Sequence, residues 1–164
     1  MLNQLKAEIQ NDPVSLGYAS GGQFRTSSEV LALLTARNRS RRVALGSAEL
    51  LAWSGGNQRR KKIAAAAASH ASADVQNIAQ VALTLLDRDG TILDLNLADR
   101  MGMVDALVAG GVLTSVSDPQ AEGYPGDKET LVALSTVSIS RLQELGLPEF
   151  HEGDVQWALD HQEN

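Results

Sequence analysis

The sequence predicts an all-α protein, a compact multi-helix domain of short helices joined by Gly-, Asp- and Ser-rich loops. Three observations carry this. Aromatic residues are only 4% of the 164 residues while hydrophobic residues reach 43%. The core must therefore be built from Ala, Leu, Val and Ile, and Ala and Leu favour helix where aromatic and β-branched residues favour strand. Apolar residues recur at spacings of three and four in most segments, and no segment sustains the two-residue alternation of a half-buried sheet. At this length one domain is expected, residues 1–164, hiding roughly two thirds of its extended-chain surface.

Leu2, Leu5 and Ile9 set the first helix. Asp12-Pro13 ends it, because the residue before proline is pushed out of the α region. SLGYASGG is expected as a turn-rich loop in which Gly17, Gly21 and Gly22 are free to take positive φ. Thr26 and Glu29 have the spacing of a capping box, and Val30, Leu31, Leu33 and Leu34 continue that helix to about Arg37. Residues 37–62 are expected as a basic connecting region. It holds the polar stretch ARNRSRRVALG and a short helix capped by Ser47 and stopped by Ser54-Gly55-Gly56.

Gln58 to His70, QRRKKIAAAAASH, reads as helix, because alanine has the highest helix propensity and lets another backbone approach closely. Its cations fall in the first turn, where the macrodipole disfavours them, so they are expected to find acidic partners. Asp74 is the expected cap of the next helix, with Val75, Ile78, Val81, Ala82 and Leu85 as its buried face. The loop DRDGTILDLN follows. Asn96 then caps LADRMGMVDALVA, which Gly110-Gly111 closes while Val112 and Leu113 fold back onto it. After the polar loop SVSDPQAEGYPGD, Asp127 is expected to cap KETLVALST. Ser140 and Gln143 form a capping box for RLQELG, and residues 151–164 form a C-terminal helix and tail.

With no cysteine in the chain, disulfides, thiolate metal sites and cysteine nucleophiles are excluded. The longest apolar run, Ile63 to Ala68, is too short to span a bilayer. The first twelve residues have no apolar h-region, so no secretory leader is expected. The net charge of −6 is unevenly spread. Arg37, Arg39, Arg41, Arg42, Arg59, Arg60, Lys61 and Lys62 are opposed in their segment only by Glu49, which gives +7 there and −13 elsewhere. Such asymmetry marks these eight residues as the candidate surface for a neighbouring subunit or for DNA.

The most prominent motif is Leu85-Leu86-Asp87-Arg88-Asp89-Gly90-Thr91. It resembles the first motif of haloacid-dehalogenase-like phosphatases, which would make Asp87 a nucleophile and Asp89 an acid/base beside Mg²⁺. The motif here follows helix-period sequence, and no strand–helix alternation builds the required parallel sheet. Asp and Gly are also what a turn between helices uses. The preferred reading is therefore a loop, with no catalytic residue, no metal site and no cofactor. His70, His151 and His161 lack metal-ligand spacing. The basic segment lacks interleaved aromatics, so it fits non-specific phosphate contact rather than base reading.

Two ends of the chain carry a family resemblance. The first is LKAEIQNDPVSLGYA. The second is DALVAGGVLTS, then LVALSTVSISRLQELGLPEF, then GDVQWAL. In these the chain resembles a family of small proteins encoded among the virion genes of long-tailed (siphophage-type) bacteriophages, with Ser140, Arg141, Glu144, Leu145 and Gly146 matching its Ser-Arg-x-x-Glu-Leu-Gly pattern. The resemblance covers about half of the chain. It implies a non-enzymatic structural protein, a head-to-tail connector (adaptor or neck) or tail-region component. Portal, connector or tail subunits are the implied partners, in a homo-oligomeric assembly with possible contact to packaged DNA and no membrane. The implied location is the virion, and the host cytoplasm during assembly. The alternatives are a small Mg²⁺-dependent phosphatase using Asp87 and Asp89, and a non-specific DNA-binding accessory protein.

Overall fold

The computed structural model describes residues 1–162. In chain order the elements are α1 (Leu2–Asn11), β1 (Ala19–Ser20), β2 (Gln23–Phe24), α2 (Ser27–Thr35), β3 (Arg39–Arg42) and α3 (Ser47–Gly55). A 3₁₀ turn (Gly56–Gln58) leads into α4 (Arg59–Ser69), followed by α5 (Ala73–Asp87), α6 (Ala98–Ala109) and α7 (Asp127–Leu134). Then come β4 (Thr136–Ile139), α8 (Arg141–Glu144) and α9 (Glu152–Asp160). The expected single domain divides into two compact units. Unit 1 is Met1–Arg41 together with the chain from Ser138 onward, and unit 2 is Arg42–Val137.

The fold is mainly helical but not all-α, because β1 pairs with β2 and β3 with β4 in two small antiparallel sheets. The first is a hairpin. Gly21 and Gly22 take φ of 62° and 82°, the two positive values of a type I′ turn, whose twist matches paired strands. Ala19 faces Phe24 and Ser20 faces Gln23. The stretch expected as loop thus supplies a strand. The second sheet corrects the basic connecting region, where Arg39–Arg42 is extended. Its strands are almost wholly exposed, so no buried face imposes the two-residue alternation that would announce them.

In unit 1, α1 and α2 both pack on α9. Their apolar faces meet through Leu5, Ile9, Val30, Leu34, Val155 and Ala158, with Tyr18 and Leu142 completing the core. Each such Leu or Ile contributes about 1.5–3 kcal/mol by leaving water. The Thr26 and Glu29 capping box forms as the spacing requires, and so does that of Ser140 and Gln143.

Unit 2 is centred on α4 against α5. Ala66 and Ala67 meet a face that includes Ala79 and Ala82, and small side chains allow this close approach. Gln76 and Gln80 of α5 donate to the Ala67 carbonyl at 3.1 and 3.2 Å, satisfying the end of α4. α6 closes as expected: Gly111 sits at φ 72°, and the Val112 and Leu113 amides return to the Leu107 carbonyl. Leu50, Trp53, Ile63, Leu93, Leu107 and Leu131 border an apolar cavity of about 30 Å³, whose apolar lining offers water no partners.

Gly46, Ser72 and Gly126, the N-caps of α3, α5 and α7, fall one or two residues before the side chains expected to make them, and Leu97, the N-cap of α6, falls one residue after Asn96. Asn96 instead bonds Asp94, and the Asp127 side chain turns into unit 2.

Candidate functional site

The eight basic residues do not form one free surface. Four of them are held by carboxylates. Arg59 Nε donates to Asp127 Oδ1 at 2.7 Å, and Lys62 Nζ reaches Asp127 Oδ2 at 3.5 Å. Arg60 pairs with Asp87 at 2.6 Å, and Arg39 pairs with Glu144. Three of the four cations at the start of α4 thus find the acidic partners that their position in a first turn demands. Arg42 donates to the Leu95 carbonyl at 3.3 Å. Arg37, Arg41 and Lys61 are exposed, and among the described residues they have no side-chain bond or ion pair.

Asp127 is the hub of unit 2, and its side chain is fully buried. Besides the two cations, its carboxylate accepts from Asn57 Nδ2 and from the Thr114 backbone amide, each at 3.0 Å. Its carbonyl accepts the Trp53 indole N–H at 3.2 Å. Arg59 also donates to the Trp53 carbonyl at 2.7 Å and lies over the Trp53 ring, a cation–π contact. Burial works to raise the Asp127 carboxyl. The bonds from Asn57, the Thr114 backbone, Arg59 and the Thr114 side chain outweigh it and hold the group well below the usual carboxylate range. Gly126 makes this possible, since a Cβ there would collide with the backbone of Ser115 and Val116, which crosses directly over it.

Glu8 is the hub of unit 1. Arg141 grips it in two-point fashion, Nε to Oε1 at 2.7 Å and Nη2 to Oε2 at 2.8 Å. The Tyr18 hydroxyl donates to the same carboxylate at 3.2 Å. Arg141 Nη1 continues to Glu144 at 2.7 Å. Burial first, and the Glu8 charge second, push the Tyr18 phenol well above its ordinary value. The bonds from Arg141 and Arg39 lower Glu144. Arg141 and Glu144, matched above to a family pattern, are thus members of a structural network.

Asp87 is the last residue of α5, not the end of a strand, and it is half-exposed beside Arg60. Asp89 is exposed in the turn made by Gly90 at φ 73°. The neighbouring Thr91 hydroxyl donates back to the Arg88 carbonyl at 2.8 Å. Among the described residues no three His, Asp or Glu side chains are grouped to hold a metal ion. His70 joins two helix ends within unit 2. Its Nδ1 accepts the Ser72 amide, so the proton is on Nε2, which donates to the Gly110 carbonyl. His161 stacks on Trp157.

Sequence reasoning missed both hubs, although each left a signal. Glu8 lies three residues from Leu5 and one from Ile9, on the apolar face of α1, and a carboxylate there requires a buried partner. Asp127 was assigned to a cap, yet the surplus of cations at Arg59 to Lys62 needed a buried anion. No helix among the described residues is long and apolar enough to cross a membrane. Compared with known proteins, the chain matches no family model, no curated protein and no solved structure.

Proposed function

We propose that this chain is a structural component of a tailed-phage virion, a head-to-tail connector or tail-region protein acting in an oligomeric assembly. The observation that carries the reading is where the charged residues go. The buried carboxylates Glu8 and Asp127 are committed to structural ion pairs, and the DxDGT residues form a helix exit and turn. This is the economy of a scaffold: charge inside locks the fold, and the unengaged Arg37, Arg41 and Lys61 remain at the surface for an acidic neighbour. The resemblance in the N-terminal and C-terminal segments supplies the phage context, with portal, connector or tail subunits as partners and the virion as location.

Mass spectrometry of purified particles, followed by electron microscopy of the same particles, tests this. The protein is expected at a fixed stoichiometry per virion, in a symmetric layer. Its absence from particles would remove the structural role.

A further inference from the structure

One strand edge in unit 2 is left open. Leu45 and Leu93 form an isolated antiparallel bridge, exchanging both N–H···O bonds at 2.9 Å. In an antiparallel ladder the residues flanking such a pair turn their backbone groups the other way. Those residues are Ile92 and Asp94. The Ile92 amide, the Ile92 carbonyl and the Asp94 amide have no partner among the described residues. Burial alternates along the stretch: Thr91, Leu93 and Leu95 are buried, while the Ile92 side chain is 69% exposed. The segment is a β edge presenting an aliphatic side chain and a row of free backbone donors and acceptors, which is a template for an added strand.

Charge selects the strand. Asp89 and Asp94 flank Ile92, and Arg88 is the single cation from Arg88 to Asn96, so the flank is acidic by one charge. Pairing the edge with the same edge of a second copy would set like charges against each other, which disfavours a two-fold arrangement. A basic extended strand is what fits. β3, Arg39–Arg42, is extended and exposed in a sheet of two strands, and at its end the Arg42 carbonyl accepts Asn96 Nδ2 of the same copy at 3.4 Å. Arg41 on it, and Arg37 just before it, have no partner among the described residues.

We infer that β3 of one copy adds to the Thr91–Asp94 edge of the next, with Arg41 facing the acidic flank of Ile92. The contact joins two different surfaces, so it propagates head to tail and closes into a ring where the rotation permits. This gives the proposed oligomer its interface, but it is a property of the purified protein and stands apart from the virion assignment.

The chain lacks cysteine, so introduced thiols are its only ones. Ile92→Cys and Arg41→Cys proteins, mixed and oxidised, are expected to give a mixed disulfide dimer, with little product from either protein alone. Light scattering on the wild type is expected to show association that rises with concentration and weakens in high salt. Ile92→Pro removes the outward amide, replaces the exposed aliphatic side chain by a ring, and leaves the Leu45 and Leu93 amides and carbonyls to bond each other. It is expected to weaken association about tenfold or more, roughly the effect of losing 1.4 kcal/mol. Arg41→Glu should do the same, and Arg41→Glu with Asp89→Arg should recover it. Circular dichroism matching the wild type shows that each variant is folded. A wild type that stays monomeric at every concentration and salt overturns the inference, as does a crosslink formed by Ile92→Cys alone. Either result leaves the particle experiment free to succeed, while absence from particles would leave this interface untouched.

Discussion

Glu8 in unit 1 and Asp127 in unit 2 are both buried carboxylates, but they meet their cations in opposite ways. In unit 1 a single guanidinium, Arg141, is shared between two carboxylates, Glu8 and Glu144, and Arg39 reaches the outer one. The charges alternate along a chain that runs outward to a partly exposed residue. In unit 2 a single buried carboxylate is shared between two cations, the buried Arg59 and the partly exposed Lys62, so one anion stands at the centre. The difference teaches where each unit is fragile. Loss of the outer links of the alternating chain, Glu144 or Arg39, leaves partly exposed neighbours that gain water. Loss of the one anion in unit 2 leaves a buried guanidinium with nothing opposite it.

The largest expected effect is therefore Asp127→Ala. Breaking a buried pair by removing one partner costs about 3–5 kcal/mol, a large share of the roughly 5–15 kcal/mol that holds a domain folded. The two tryptophans allow each unit to be followed separately, since Trp53 belongs to unit 2 and Trp157 to unit 1. Urea unfolding read through Trp53, in a Trp157→Phe background, should show unit 2 unfolding at much lower denaturant. An unchanged midpoint would mean that Asp127 is not the hub.

Arg141→Lys should cost less, about 1.5–3 kcal/mol, the range for a hydrogen bond to a charged group. A lysine keeps the charge but loses the two-point grip on Glu8. Read through Trp157, the loss should be smaller than that of Asp127→Ala. If the two are equal, the alternating chain of unit 1 gives no protection, and the contrast fails.

The buried Asp127 and Tyr18 should also respond at opposite ends of the pH scale. Asp127 has its folded-state pKa depressed by its donors. Its stabilisation is present above the unfolded value of about 3.9 and is lost as pH falls below that toward the folded value. Tyr18 has its pKa raised by burial and by Glu8. Its contribution is full below the unfolded value of about 10 and is lost as pH rises above it. Acid should thus loosen unit 2 through Asp127, and alkali should loosen unit 1 through Tyr18, with the partly exposed Glu144 adding a smaller acid response in unit 1. Tyr18→Phe should flatten the alkaline arm seen by Trp157 and leave the acid arm seen by Trp53 in place.

What the sequence made legible follows from the range of the forces involved. Helices and turns depend on neighbours a few residues away. The box at Thr26 and Glu29, the stop at Gly111 and the helix from Glu152 could accordingly be read along the chain. The face of α5 was misjudged by one position: Val81 is 50% exposed, and Ala79 is fully buried. A hydrophobic pattern favours valine over alanine, while close helix packing favours the smaller residue. The Glu8–Arg141 pair joins residues 133 apart, and the Asp127–Arg59 pair joins residues 68 apart. No local pattern names such partners. The demand for them was visible in the surplus of cations and in a carboxylate on an apolar face. The edge at Ile92 was hidden because a single bridge, Leu45 to Leu93, is all that makes it a strand.

The smallest expected effect lies at Asp87, a third ion pair against which both hubs can be judged. Arg60 and Asp87 are each about half exposed, at 49% and 50%. Water competes for both charges, and two flexible side chains must be ordered to bring them together. Asp87→Asn should therefore shift stability by no more than about 1 kcal/mol, measured through Trp53. The same variant probes the chemistry that the DxDGT sequence suggests. An aspartate that attacks phosphorus needs its carboxylate free, at the mouth of a site holding Mg²⁺. Here it closes a helix beside an arginine, with no grouped acidic ligands among the described residues. Wild type and Asp87→Asn should be indistinguishable in a Mg²⁺-supplemented phosphomonoester assay. Turnover by the wild type that disappears in the variant would make this weakest of the three pairs the functional one, and would reverse the reading of the molecule as a scaffold.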